Sequence, residues 1–375
     1  MDALSLAIKK TGADAYVMYA SSRDADMRYL TNFTTSDPFV YFKKAGGKGT
    51  IIISQMEVGR ASRESPAAVM TRAEAELPEI MKREHDITRA TALMIAAQAG
   101  EKLLVPPQFP LGLARALEEH CTVIVDTGSV QQMRARKTPA EITAMRRVQK
   151  ATEAALGRGI ELIRKSVVKK GILYSGGIPL TSEQVKYAMH THLFSCGCTA
   201  VDTIVSCGED TAIPHMTGTG PLLANEPIII DLFPVEEASG YYADMTRTVV
   251  KGKPSKEIRA MYDTLCEAKH LAMNLQKPGV PGSEVYQAVV DFFAEHGYES
   301  DTRGFVHNLG HGVGLQVHEL PTVGPSGKAL VAGNVITVEP GLYYQGTGGV
   351  RIEDMGVVTA KGFDNFTKFS EELVL

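Results

Sequence analysis

Pro227-Ile-Ile-Ile-Asp231 is followed 13 residues later by Asp244-Met-Thr-Arg-Thr-Val-Val250, and Asn334-Val-Ile-Thr-Val-Glu339 is followed 14 residues later by Glu353-Asp-Met-Gly-Val-Val358. The two stretches repeat one pattern. An apolar strand ends in a carboxylate, a connection containing glycine and tyrosine follows, and a second carboxylate opens another strand. They read as two hairpins of a duplicated unit, each presenting two acids at one end. A carboxylate on an apolar strand is costly to bury unless it is paired, hydrogen-bonded or coordinated to a metal. If the hairpins face each other, Asp231, Asp244, Glu339 and Glu353 converge on one pocket, and divalent cations would relieve their repulsion.

An imidazole is available in Phe305-Val-His307-Asn-Leu-Gly-His311-Gly-Val-Gly-Leu-Gln-Val-His318-Glu319. Glycines at 310, 312 and 314 allow close backbone approach. One histidine could ligate and another polarise a substrate carbonyl. His215, in Ala212-Ile-Pro-His-Met-Thr217, precedes the first hairpin in a loop, where chemistry is often mounted. Oxygen-rich ligation with one imidazole suits Mn, Co, Fe or Zn better than a thiolate-selective ion.

Outward from this core, Thr138-Pro139-Ala140-Glu141 writes a helix start: a hydroxyl cap, proline in the first turn and a carboxylate three residues on. Apolar residues from Ile142 to Ile160 continue at helical spacing. The boundary is placed just before it, giving domains 1–132 and 133–375. Before it, β-branched runs at Ala15–Ala20, Thr50–Ser54, Leu103–Val105 and Thr122–Val125 alternate with helix-like stretches at Arg89–Ala99 and Leu111–His120, which predicts an α/β domain. After it, helices are expected at Ser182–Leu193, Ser255–Gln276 and Ser283–His296, the last capped by Ser283, among strand-rich stretches; this half is α+β.

The chain of 375 residues carries 39 Lys+Arg against 43 Asp+Glu, a net charge of −4, with no basic block of five or more. That balance lacks the footprint of a nucleic-acid or anionic-membrane binder, and a small-molecule partner is expected. No apolar run approaches the roughly 18 residues of a membrane helix, and Met1 to Tyr16 lacks the order of a signal peptide, so a cytoplasmic location is expected. Five scattered cysteines read as free thiols. His190, His192, Cys196, Cys198 and Cys207 include no C-x-x-C pair and are not read as a second metal site. Thr246-Arg247-Thr248, taken alone, reads as an ordinary exposed strand.

The segments Pro214-His215, Asp231, Ala243-Asp244-Met-Thr-Arg-Thr248, Gly310-His311-Gly-Val-Gly314, Val317-His318-Glu319, Val338-Glu339-Pro-Gly-Leu342 and Val350-Arg351-Ile-Glu353-Asp354 resemble the signature of the pita-bread metallopeptidases, the family of prolidase, aminopeptidase P and methionine aminopeptidase. The resemblance runs from about Lys137 to Leu375. Arg28-Tyr29-Leu30-Thr31-Asn32-Phe33 is similar to the N-terminal domain of the prolidase and aminopeptidase P branch. The resemblance implies an α+β pita-bread catalytic domain with duplicated halves, preceded by a smaller α/β domain. It implies two divalent ions per subunit, manganese or cobalt first and zinc or iron next. Asp231 would chelate one ion and His311 the other, Asp244 and Glu353 would bridge both, and Glu339 would be a ligand completing the coordination of the second ion.

By the same resemblance His318 and His215 would line the substrate carbonyl, Arg351 would organise the second bridge and His307 would lie close by. The expected reaction is hydrolysis of an N-terminal Xaa-Pro bond in dipeptides or short peptides by a metal-bridging hydroxide, Glu339 passing the proton to the leaving nitrogen. A homodimer is implied. Aminopeptidase P activity on longer peptides is the rival within the class, and a non-catalytic scaffold that keeps the fold is the rival outside it. One departure stands out: Asp231-Leu-Phe-Pro-Val-Glu-Glu-Ala-Ser-Gly240 is longer than the family's turn and lacks its Asp-x-Gly glycine.

Overall fold

In the computed structural model, which describes residues 2–375, the chain forms two units, Met1–Arg134 and Ala135–Leu375. The first is built on a six-stranded mixed sheet in the order Ala68–Thr71, Thr50–Ile53, Phe39–Lys44, Ala15–Ala20, Lys102–Val105, Thr122–Val125. Side chains alternate strictly between its faces: Ala15, Val17, Val40, Phe42 and Ile52 pack into one core, and Tyr16, Met18, Phe39, Tyr41 and Ile51 into another. The expected strands are all present. Phe39–Lys44 and Ala68–Thr71 are additional. Phe39-Val-Tyr-Phe42 is buried on both faces and so shows no apolar–polar alternation by which to read a strand.

In the second unit, the helix Pro139–Lys165 starts as its capping box dictates, with Thr138 Oγ1 accepting from the Glu141 N–H and the Glu141 carboxylate accepting from the Thr138 N–H. Three more helices follow, Ser182–Ser195, Lys256–Leu275 and Gly282–Glu295. One cap, that of the last helix, differs from expectation. Thr181, paired with Gln184, caps the first of these, which frees the Ser182 hydroxyl to donate to the Val205 carbonyl at 2.7 Å. Ser283 lies inside the last helix, whose cap position is Pro281.

Each helix pair covers one sheet. Ile204–Cys207, Pro227–Leu232 and Met245–Val250 form an antiparallel sheet with the Asp231 strand in the middle. Five strands, Glu319–Val323, Gly310–Gly312, Val335–Val338, Asp354–Thr359 and Gly362–Asn365, form the other. The two predicted hairpins are real antiparallel pairs, with Asp231 opposite Thr246 and Val338 opposite Asp354.

The strands of the second hairpin lie between two cores: Val335 and Val357 pack with the first helix pair, while Ile336, Val338 and Val358 pack with the second. A strand covered on both faces carries its terminal acids into the interior. Neither connection is a plain turn, because Gly341–Tyr344 and Gly348–Arg351 form a ribbon within the second, and Val235–Glu236 within the first pairs with Cys198–Thr199. No helix among the described residues is long and apolar enough to cross a membrane.

Candidate metal centre

The strand ends deliver the acids. Asp244 immediately precedes its strand and Glu339 immediately follows its own, while Glu353 precedes Asp354–Thr359. The Glu353 N–H donates to the Thr246 carbonyl at 3.0 Å, so the two hairpins are hydrogen-bonded to each other at the site. His311 is the middle residue of Gly310–Gly312. Its N–H donates to Thr337 Oγ1 at 3.1 Å, and that hydroxyl lies 3.2 Å from Glu339 Oε1. A Cβ on Gly310 would overlap the Thr337 carbonyl, and one on Gly312 the Leu320 carbonyl. Gly310→Ala is therefore expected to push His311 away from Glu339 and cost about 1–3 kcal/mol, read from the midpoint of denaturant unfolding.

Asp244, His311 and Glu353 each offer one ligand atom within 4.8 Å of the others. His311 Nε2 lies 3.2 Å from Glu339 Oε1 and 3.7 Å from Asp244 Oδ2. Glu353 Oε2 accepts from the Thr246 hydroxyl at 2.8 Å, and Asp231 Oδ2 accepts from Arg351 Nη2 at 2.8 Å. The remaining oxygens, Asp231 Oδ1 and Glu353 Oε1, are buried with no hydrogen-bond partner.

Burial, and then the charges of neighbouring acids, Asp231 foremost, push the Asp244 carboxyl well above its ordinary range; burial and the charge of Asp244 do the same to Glu353. The cluster draws positive charge in turn. Burial alone would lower His311, but its contact with Glu339 and the charge of Asp244 raise it to about 9. Glu339, which burial alone would raise, is held at about 2 by His311. Orphaned buried oxygens, crowded carboxylates and one imidazole fit hard or borderline divalent cations.

Arg351 is the organiser of the periphery. Besides Asp231, it reaches the Tyr343 hydroxyl at 2.8 Å and the Pro214 carbonyl at 3.2 Å, which tethers the loop that carries His215. His307 Nε2 lies 3.0 Å from the same tyrosine oxygen. The His311 and His318 rings are 4.2 Å apart, and burial and the His311 charge keep His318 below its usual range. His215 is exposed and lies near enough to His307 and His318 to contribute electrostatically to both. All nine residues singled out in the sequence thus lie on one connected patch.

Three further residues belong to it. Thr246, Thr337 and Tyr343 orient the acids and Arg351, and none was marked by the sequence reading. Thr246-Arg247-Thr248 is fully buried, which corrects the exposed-strand reading: the polar side chains are inside because each has a partner there. The long connection after Asp231 is likewise anchored. Arg147 grips the Glu236 carboxylate with two nitrogens, the Tyr241 hydroxyl donates to Glu141 at 2.6 Å, and the Tyr242 N–H donates to the Gly314 carbonyl at 2.8 Å.

The family model for metallopeptidase family M24 matches residues 143–360, more than half of the chain. The chain belongs to metallopeptidase family M24. A second model, the creatinase/prolidase N-terminal domain, matches residues 1–136. Among its relatives, a Xaa-Pro dipeptidase of Lactobacillus helveticus is 34% identical over 247 residues, and that of Lactobacillus delbrueckii subsp. lactis is 32% identical over 249. Each match covers 65% of this chain and spans 63% of the relative's own length. Of solved structures, a Xaa-Pro dipeptidase from Bacillus anthracis superposes with a TM-score of 0.84 at 25% identity, covering 100% of this chain and 98% of that one. The prolidase from Pyrococcus horikoshii OT3 gives 0.83 at 25% identity, covering 99% and 98%. The fold is therefore the two-domain one expected: an M24 catalytic domain with α+β halves, preceded by a creatinase-type α/β domain.

Proposed function

We propose that this M24 protein is a metal-dependent peptidase that hydrolyses the Xaa-Pro bond of dipeptides or short peptides. The convergence of Asp231, Asp244, His311, Glu339 and Glu353, with two carboxylate oxygens buried and unpartnered, is the observation that carries the reading. The relatives named Xaa-Pro dipeptidase support the substrate class. In this reading those five residues hold two divalent ions, manganese or cobalt first. Bound there, the ions would supply Lewis acidity and lower the pKa of a water toward neutrality.

The chain's own groups divide the remaining work. Glu339, in contact with His311, is placed to take a proton from the attacking water and deliver it to the leaving nitrogen. His318, whose ring lies 4.2 Å from that of His311, donates from its ring to the oxyanion. His215 positions the scissile carbonyl from its tethered loop, and His307 is oriented by Tyr343 toward the same space. Arg351 holds Asp231 in its ligating orientation.

The test is an assay on purified protein stripped with chelator, then supplied with Mn²⁺ or Co²⁺, against a panel of Xaa-Pro dipeptides and Xaa-Pro-Yaa tripeptides. Dipeptide cleavage that appears only with added metal is expected. Cleavage of tripeptides alone would move the assignment to an aminopeptidase P activity. Failure to cleave any member of the panel with metal bound would sink the peptidase reading.

A further inference from the structure

Behind the acids, and outside the ligand set, lies a second buried charge cluster. Arg247 is 1% exposed and uses every donor of its guanidinium. Nη1 donates to the Glu353 carbonyl at 2.7 Å and to the Thr246 carbonyl at 2.8 Å, and Nη2 to Asp354 Oδ1 at 2.8 Å and the Phe369 carbonyl at 3.4 Å, while Nε donates to the Ser370 carbonyl at 2.9 Å. The other oxygen of Asp354 accepts from Lys269 Nζ and from Asn365 Nδ2, both at 2.8 Å. Lys269, with no exposure at all, also pairs with the Glu371 carboxylate. Two cations and two anions balance, which is what makes their burial tolerable.

The segment that closes this cage is Phe369–Leu375. Its Leu373 carbonyl accepts from the Val250 N–H at 2.7 Å, its Leu375 N–H donates to the Val250 carbonyl at 2.9 Å, and the Tyr262 hydroxyl donates to the Glu371 carbonyl at 2.9 Å. It is therefore stitched to the far end of the strand that begins beside Asp244. Glu353 is held at three points by residues 246 and 247 alone: its N–H and Oε2 by Thr246, its carbonyl by Arg247. Those contacts leave Oε1 bare.

We propose that Arg247 is a positioning residue of the metal centre: caged by Asp354, Lys269 and the Phe369–Glu371 segment, it fixes the backbone of Glu353 so that this carboxylate is presented to the cation. The inference rests on the metallopeptidase reading, because it needs Glu353 to be a ligand. The cage contains none of the proposed ligands and none of the histidines proposed to face the substrate, so it acts on cation affinity and not on substrate recognition. Partners that orient a ligand typically contribute 10–100-fold to metal affinity.

The experiment compares unaltered protein with Arg247→Lys, which keeps the charge and loses the fork, and Glu371→Gln, which removes the half-exposed outer member of the cage. Chelator-treated protein is titrated with Mn²⁺ alone by calorimetry, and KM for a Xaa-Pro dipeptide is measured at saturating Mn²⁺. A 10–100-fold weaker Mn²⁺ affinity for Arg247→Lys is expected, and a several-fold weakening for Glu371→Gln, with KM unchanged for both. Should Arg247→Lys not fold, the Glu371→Gln titration decides alone. Variants that lose thermal stability but bind Mn²⁺ within twofold of the unaltered protein would overturn the inference and leave the metallopeptidase reading intact. Failure of the unaltered protein itself to bind Mn²⁺ would instead overturn that reading, and the inference with it.

Discussion

Asp244→Asn is expected to reduce metal-dependent cleavage by on the order of 10³ or more, equivalent to about 4 kcal/mol of barrier. Asp244 is 4% exposed, and its carboxylate sits within reach of both His311 and Glu353. Asparagine keeps the shape but offers one neutral oxygen, so the proposed bridge between two ions loses its charge and its second donor. Stability should move the other way. Asp231 and Glu339 both repel a charge at this position, so removing it relieves like-charge crowding in a buried place. In the presence of chelator the variant should unfold at the same or higher denaturant concentration than the unaltered protein. Full activity on Xaa-Pro substrate with Mn²⁺ would end the case for Asp244 as a ligand, and a collapse of stability would show that its role is in the fold.

Arg351→Met carries the second large effect, of roughly 3–5 kcal/mol in unfolding free energy, because removing one partner of a buried ion pair leaves the other uncompensated. Arg351 is 4% exposed, and its loss strands the Asp231 carboxylate, the Tyr343 hydroxyl and the Pro214 carbonyl together. Activity should fall as well, since the same change frees Asp231 to turn and unties the loop that carries His215. Arg351→Lys is expected to recover part of the stability and little of the activity: an ammonium supplies the charge but cannot span the four separated acceptors, Thr246 Oγ1 included. Urea unfolding at neutral pH, paired with initial rates on a Xaa-Pro dipeptide, separates the two outcomes. A Met variant within 1 kcal/mol of the unaltered protein would show that water replaces the guanidinium at no cost.

The repeated strand-acid pattern made four acids legible because an ionisable group on an apolar strand demands an explanation at the level of sequence. The glycines around His311 marked its segment, and the structure uses them to bring its strand against Thr337 and Leu320, but the choice of His311 among the histidines came only from the family resemblance. Residues whose role depends on what they face were not legible in the same way. Tyr343 lies in Gly341-Leu-Tyr-Tyr344, where one tyrosine is buried against Arg351 and His307 and its neighbour packs elsewhere, and nothing local separates the two. Arg247 looked like an exposed strand residue because a lone arginine between threonines normally is one. Its burial is set by Asp354 and the Phe369–Ser370 carbonyls, more than a hundred positions away.

Local chemistry in the chain determined the kind of elements, the capped start of the long helix, the duplicated hairpins and the residue types able to hold cations. Those follow from interactions between near neighbours, which a sequence displays directly. Tertiary structure alone decided which oxygen of each acid is already engaged, which residues tie Arg351 and Glu353 down, and that the long connection after Asp231 is pinned by Arg147 and Glu141. Each of these is a contact between distant segments, and its energy depends on a distance and a degree of burial that exist only once the two cores have closed around the strands.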